Sequence, residues 1–316
     1  MDTKHFAFIG AAGYIAPRHL KAIKETGNSL AVALDSHDNV GILDSYFPET
    51  AFFTEFERFD RHVNRMQSKG LHLDYTTICS PNYLHDAHIR FALKNDMHAI
   101  CEKPLVINAR NLDSLVELEE STGKKIYTVL QLRLHQTIKE LKRRVEFESR
   151  DSKYDVDLMY ITSRGKWYDY SWKGVADKSG GVSTNIGIHF FDMLGFVFGE
   201  LQQSVTHVSE PRRAAGFLEF EKARVRWFLS INRRDLPEIA LREGKSTFRS
   251  ITISGKELEF SEGFTDLHTE TYKEIMAGNG FGIEHARPSI EIATSIRNAV
   301  PIGHKGDFHP YLSSFV

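Results

Sequence analysis

The segment His5-Phe6-Ala7-Phe8-Ile9-Gly10, running on through Ala11-Ala12-Gly13-Tyr14-Ile15-Ala16, constrains the fold more than any other stretch. It is a short run of strand formers, a glycine-bearing turn, and then a helical pattern through Leu20 and Ile23 that Gly27 can end. A strand that turns through glycine directly into a helix opens a βαβ unit. The alternation then repeats. Leu30 to Leu34 reads as a second strand and stops at Asp35. Phe52 and Phe53 are a short apolar piece ahead of a helix near Phe56 to Met66. Tyr75 to Cys79, His98 to Cys101 and Ile126 to Leu130 are further strands. Between them lie one helical face of Leu84, Ala87, Phe91 and Ala92 and another of Leu112, Leu115 and Val116, which Asn108 can cap and Gly123 end. This spacing predicts an α/β domain with a doubly wound parallel sheet over residues 1–130.

After Leu130 the texture changes. Strand-like runs at Val156 to Ser163, Ala215 to Phe220, Ala223 to Ile231 and Phe248 to Ile253 follow one another with few helices between. They predict an α+β domain with a mostly antiparallel sheet over residues 131–316. Helices are expected at Ile138 to Val145, at the strongly apolar Asn185 to Phe198, and at Glu284 to Val300. One face of such a sheet is left to be covered.

A chain of 316 residues, 41% hydrophobic and 26% charged, has material for two globular domains. Its net charge of −2 gives no reason to expect nucleic acid as a partner. The longest apolar stretch, near Phe190 to Phe198, is too short for a membrane span, and no secretory leader is read at the start of the chain. Cys79 and Cys101 end apolar runs and read as buried reduced thiols, which fits a cytoplasmic protein. His85 and His88 are spaced i, i+3 on a helix with no third ligand in view, so no metal site is expected.

The turn after the first strand is where ligand chemistry enters. Its pattern, G-x-x-G-x-x-A over Gly10, Gly13 and Ala16, departs from the dinucleotide fingerprint and by itself also suits a tight turn without a ligand. Asp35, at the end of the second strand, adds weight. A carboxylate there accepts the hydroxyls of an adenine ribose and repels a 2′-phosphate. Together Gly10, Ala12, Gly13, Tyr14, Ile15 and Asp35 predict a Rossmann site for NAD in preference to NADP, the pyrophosphate lying at the helix N-terminus.

Two further motifs carry a family resemblance. Glu102-Lys103-Pro104 follows the strand ending at Cys101, and Gly180-Gly181 precedes Asn185, His189 and Asp192. The chain resembles the Gfo/Idh/MocA oxidoreductases, which carry an EKP triplet after this strand and a GG…D-x-G-x-H-x-x-D segment in the second domain. In a uniform α-helix Asn185, His189 and Asp192 share one face at i, i+4 and i+7. Asn185 stands where many members have Asp, which leaves His189 as the better proton acceptor. The runs Gly10 to His19, Ser80 to His85, Gln131 to His135, Ser171 to Gly174, Lys178 to Gly181, Asn185 to Leu194 and Ser261 to Ile275 resemble a branch that acts on a UDP-linked N-acetylhexosaminuronic acid of bacterial lipopolysaccharide synthesis.

The resemblance implies a mechanism and a set of contacts. Lys103 and His189 are the expected catalytic pair for oxidation of the sugar 3-hydroxyl, with bound NADH recycled by 2-oxoglutarate. Ser80, Asn82, His85, Glu102, Lys103, Gln131, Trp167 and Tyr168 are expected around the cofactor. Lys103, Arg164, Lys173, Lys178, Ser179, Asn185 and His189 are expected around the anionic sugar nucleotide, with Trp172 beside them. Relatives cover the open sheet face in dimers and tetramers, so a homotetramer is expected by analogy. A dehydrogenase of a free polyol or cyclitol, and a non-catalytic NAD-binding regulator, are the alternative readings.

Overall fold

The computed structural model describes residues 2–149, 152–258 and 266–315. The chain divides into two compact units, Met1–Leu134 with Phe264–Arg287, and His135–Gly263 with Pro288–Val316. A single boundary after residue 130 therefore misses the return of a later segment to the first unit. Residues 261–265 of the Ser261 to Ile275 motif lie outside the described residues.

The first unit holds six strands: β1 His5–Ile9, β2 Ser29–Leu34, β3 Ala51–Phe53, β4 Tyr75–Ile78, β5 His98–Cys101 and β6 Ile126–Thr128. Their order is β3-β2-β1-β4-β5-β6 and every pairing is parallel. The register sets Ile9 beside Leu34 and Ile78, and Ile78 beside Cys101, so the strand ends and the turns that follow them share one edge. In an open parallel sheet this is the edge where ligands bind. Phe6, Phe8, Ala33 and Ile100 are buried in the core beneath it. The Phe52-Phe53 piece is a true strand at the sheet margin.

The returning segment is locked to this unit by packing and by hydrogen bonds. The helix Leu267–Met276 gives Tyr272 and Ile275 to the same core. The Thr128 N–H donates to the Phe281 carbonyl at 2.9 Å. Fully burying side chains of this size contributes on the order of 1.5–3 kcal/mol each, ample to hold a segment far away in sequence.

The second unit carries β7 Tyr154–Thr162, β8 Leu201–Glu210, β9 Arg213–Phe220, β10 Ala223–Ser230, β11 Thr247–Ile253 and β12 Lys256–Glu257, in the order β12-β11-β7-β10-β9-β8. Only β7 and β10 run parallel. Alternation along β10 separates the two faces. Trp227 meets Phe191 of the helix Ile188–Phe198 edge-on at 5.4 Å. Phe228 points the other way and stacks on Phe315 at 5.6 Å. Ile161, Ala215, Leu312 and Tyr311 join that second cluster. The face expected to await a partner is thus partly covered by the chain's own C-terminal segment. Among the described residues no helix is long and apolar enough to cross a membrane.

Candidate active site

The turn after β1 is built around Gly10. Its φ of +93° favours glycine, and a Cβ there would lie 2.5 Å from the Cys79 carbonyl carbon and 2.7 Å from the Ser80 nitrogen. The β1 and β4 turns therefore touch backbone to backbone. The helix Ala16–Glu25 begins without a side-chain cap and with Pro17 in its first turn. Among the described residues the N–H groups of Tyr14 and Ile15 have no backbone acceptor, while the Tyr14 ring is 93% exposed. Tyr14 thus offers a pyrophosphate its backbone, beside the positive end of the helix. Ala12 is different: its N–H already donates to Asp35 Oδ2 at 2.9 Å, so it orients the carboxylate. The His37 N–H holds Asp35 Oδ1 at the same distance. This turn fits a dinucleotide, with glycine where a side chain would intrude and an aimed carboxylate at the ribose position.

The loop after β4 is tied to the loop after β5. Ser80 is buried, and its hydroxyl is bonded to His88 Nδ1 at 2.8 Å. His85 lies at the start of the helix His85–Lys94, with Nδ1 2.7 Å from the Pro104 carbonyl and Nε2 2.9 Å from the Ser80 carbonyl. Both ring nitrogens are engaged within the protein, so His85 joins the two loops and offers a cofactor no hydrogen bond. Burial lowers its pKa while the two carbonyl bonds raise it. Asn82 is also buried.

Glu102 departs from its expected role as well. It is buried, with Oε1 accepting from His19 Nε2 at 2.9 Å and from His268 Nε2 at 3.2 Å. Oε2 accepts the Lys103 N–H at 3.1 Å. The carboxylate is thus taken up by contacts within the protein and fixes the backbone of Lys103. Burial pushes its pKa up, but the hydrogen bonds from the two imidazoles outweigh this and hold it well below the usual carboxylate range. Burial keeps His19 neutral. The network runs on through His19 Nδ1 to the Tyr272 hydroxyl at 2.9 Å and from there to Thr77 Oγ1 at 2.7 Å. His19, Glu102 and His268 bring three possible metal-ligand atoms within 4.8 Å of one another. Their contacts are the direct N–H to carboxylate bonds just described. Lys103 is half-buried, and the Lys103–Pro104 bond is cis. Gln131 opens a short 3-10 turn after β6, and its buried Oε1 has no hydrogen-bond partner among the described residues, as suits a residue awaiting a ligand donor.

In the second unit, Gly180 and Gly181 both have positive φ, and a Cβ on Gly180 would sit 2.5 Å from that of Thr184. The helix they open is not uniformly α. Residues Ser183–Gly187 form a π-turn before the α-helix Ile188–Phe198. π-turns are frequent at functional sites, and this one interrupts the i, i+4, i+7 alignment expected of Asn185, His189 and Asp192. Asn185 donates to the Tyr168 hydroxyl at 2.9 Å. His189 is half-buried and Asp192 is buried. Tyr168 is itself buried, so it supports Asn185 and forms no exposed cofactor wall. Ser179 is fully buried, donating to the Val175 carbonyl and accepting from the Gly181 N–H, so it shapes the turn.

The expected cations stand nearby in the same unit. Lys178 is exposed. Lys173 lies 4.6 Å over the Trp172 ring and 5.7 Å from that of Trp167, which is 54% exposed. Arg164 is half-buried, and its carbonyl accepts from Arg212 Nη2 at 3.1 Å. Arg212 Nη1 also reaches both oxygens of Asp169, at 2.6 and 2.7 Å. Arg212, His19, His268 and Tyr272 escape sequence reasoning. Only the His19 position beside the turn motif hinted at a role.

A family model described as an oxidoreductase family with an NAD-binding Rossmann fold matches residues 4–130, and one for its C-terminal alpha/beta domain matches residues 152–289. The chain belongs to the Gfo/Idh/MocA oxidoreductase family. This oxidoreductase is 48% identical to the WlbA (WbpB) dehydrogenase from Thermus thermophilus in its complex with NAD and UDP-GlcNAcA, over 98% of this chain and 100% of that one, with a TM-score of 0.93. Against the same enzyme with NAD and alpha-ketoglutarate the identity is 49%, the coverage equal and the TM-score 0.94. Among curated proteins, the 2,7-anhydro-N-acetylneuraminate hydratase of Escherichia coli is 24% identical over 58% of this chain and 49% of its own length. The chain spans about half the length, or less, of the curated relatives it matches first.

Proposed function

We propose that this oxidoreductase oxidises the 3-hydroxyl of UDP-N-acetyl-D-glucosaminuronic acid to the 3-keto sugar, and that 2-oxoglutarate then recovers the cofactor while becoming 2-hydroxyglutarate. The near-half identity over almost the whole chain to a dehydrogenase that holds UDP-GlcNAcA or alpha-ketoglutarate beside NAD carries the reading. Bound NAD supplies the hydride acceptor. The Gly10 turn, the Tyr14 and Ile15 N–H groups and Asp35 hold its adenosine and pyrophosphate. Gln131 and the backbone of Ser80 serve the nicotinamide end.

The neutral imidazole of His189 takes the hydroxyl proton, and the Lys103 ammonium hydrogen-bonds the same oxygen as negative charge develops on it. Lys173, Lys178 and Arg164 meet the carboxylate and pyrophosphate of the sugar nucleotide. Trp167 and Trp172 give the sugar an apolar wall. A cytoplasmic homotetramer completes the reading by analogy, and light scattering at the monomer mass would remove the tetramer.

The test is a mass-spectrometric assay of purified protein with the sugar nucleotide, with and without 2-oxoglutarate. Keto sugar and 2-hydroxyglutarate formed together are the expected products. Keto sugar with added NAD alone would retain the dehydrogenase and discard the recycling. No product from folded, NAD-loaded protein would return the polyol and regulator readings.

A further inference from the structure

We infer that His19 and His268 are positioning residues for Lys103, acting through Glu102, so that a helix from the far C-terminal part of the chain sets the reactivity of the EKP lysine. The inference rests on the proposed role of Lys103. Glu102 is the only link required. Its Oε1 takes both imidazole N–H groups, and its Oε2 takes the Lys103 backbone N–H. His268 stands 166 residues from Glu102 in sequence, and Tyr272, 253 residues from His19, orients the first imidazole. All four side chains are buried, so water cannot replace a lost donor.

Two imidazole N–H donors around one carboxylate do two things. They fix the rotamer of Glu102, and with it the backbone at Lys103. They also keep Glu102 ionised where burial favours its protonation. The ionised carboxylate is the stronger acceptor for the Lys103 backbone N–H, so the charge on Glu102 governs how firmly the residue that meets the substrate oxygen is held. The other titratable groups that face Glu102 include Cys79, Cys101, His85 and Tyr272; burial pushes up the two thiols and the Tyr272 hydroxyl and lowers the pKa of His85. His268 Nδ1, which has no hydrogen-bond partner among the described residues, agrees with this assignment. A buried ring retained with one nitrogen unpaired is held for what its other nitrogen does.

The experiment compares wild type, His268→Leu, His268→Asn, Tyr272→Phe and Lys103→Ala. For each we would measure kcat, the KM for the sugar nucleotide, NAD affinity, the pH–rate profile and the folded fraction. Leucine removes the donor and asparagine restores one. We expect His268→Leu to lower kcat roughly tenfold per folded molecule, with NAD affinity within about twofold of wild type. The acid limb of its profile should move up in pH as Glu102 protonates more readily. His268→Asn should recover most of both effects. Tyr272→Phe, which keeps its ring in the core, should change kcat in the same direction by less. The inference is overturned if His268→Leu keeps wild-type kcat and pH profile, or if its loss follows the folded fraction alone. Should His268→Leu not fold, an unchanged kcat and profile in Tyr272→Phe overturn it equally. Full turnover in Lys103→Ala instead sinks the reading of Lys103 on which the inference rests.

Discussion

The Gly10 backbone lies so close to Cys79 that a Cβ on Gly10 would stand 2.7 Å from the Cys79 carbonyl oxygen, nearer than any real Cβ contact. The neighbour is backbone of a buried sheet edge and cannot swing aside. Gly10→Ala therefore costs the positive φ and the approach of the two turns together. We expect a loss of about 2–4 kcal/mol in stability and NAD affinity at least roughly tenfold weaker. Urea unfolding and an NAD titration of the variant check this. Wild-type behaviour in both would mean that the two turns can separate freely.

Asp35 predicts cofactor choice. Its two oxygens are held by the Ala12 and His37 N–H groups, so the carboxylate is oriented before any ligand arrives. Asp35→Ser removes the ribose acceptor and the charge that repels a 2′-phosphate. NAD affinity should fall roughly tenfold or more while NADP binding improves, narrowing the preference between them. Titrations with both nucleotides measure this, and an unaltered ratio would take Asp35 out of the adenosine site.

How much of this was legible in the sequence depended on how local the cause was. The Gly10 turn and the Gly123 end of the Arg110–Thr122 helix follow from neighbouring residues, whereas the cap expected at Asn108 falls one residue early: Ala109 holds the N-cap position and Asn108 Oδ1 accepts the Arg110 N–H from the turn before it. The strand β8 was missed. Its sequence, LQQSVTHVSE, is polar, lies at the sheet edge, and breaks register twice in pairing with β9, so no clean alternation survives. The return of residues 264–287 to the first unit was equally hidden, because hydrophobic periodicity reports that a helix has an apolar face and not what it packs against. Glu102, His85 and Tyr168 were identified as important, yet their side chains turn inward to hold the loops that carry the chemistry. A motif marks the segment; only the fold separates the residue that touches a ligand from the one that steadies it.

Arg212 gives a prediction that no motif suggested. It joins both Asp169 oxygens to the Arg164 carbonyl, at the base of the segment that carries Trp167 and Lys173. Pairs this exposed contribute little to global stability, about 0–1 kcal/mol. Their effect is on the order of the segment. Arg212→Ala should leave the melting temperature nearly unchanged and raise the KM for the sugar nucleotide roughly tenfold, with NAD affinity intact. A variant kinetically identical to wild type would show that the segment holds its shape without this clamp.

His88 predicts how the fold responds to acid. Burial, and secondarily the neighbouring His85, lower its pKa from 6.5 to about 4, and its ring is stacked on Phe56 and bonded to the Ser80 hydroxyl. The folded state thus holds this ring neutral while the unfolded chain gains a proton below the ordinary histidine value. The sign follows: the contribution is fully present above about pH 6.5 and is lost as pH falls through the window down to about pH 4. A shift of this size corresponds to about 3 kcal/mol by the bottom of the window. His88→Gln keeps a hydrogen-bonding side chain that does not titrate there. It should be somewhat less stable than wild type near neutrality, and its urea midpoint should fall less between about pH 7 and about pH 4. Parallel pH dependences in the two proteins would show that His88 takes up its proton without leaving the fold, and the acid sensitivity would then have to come from other groups.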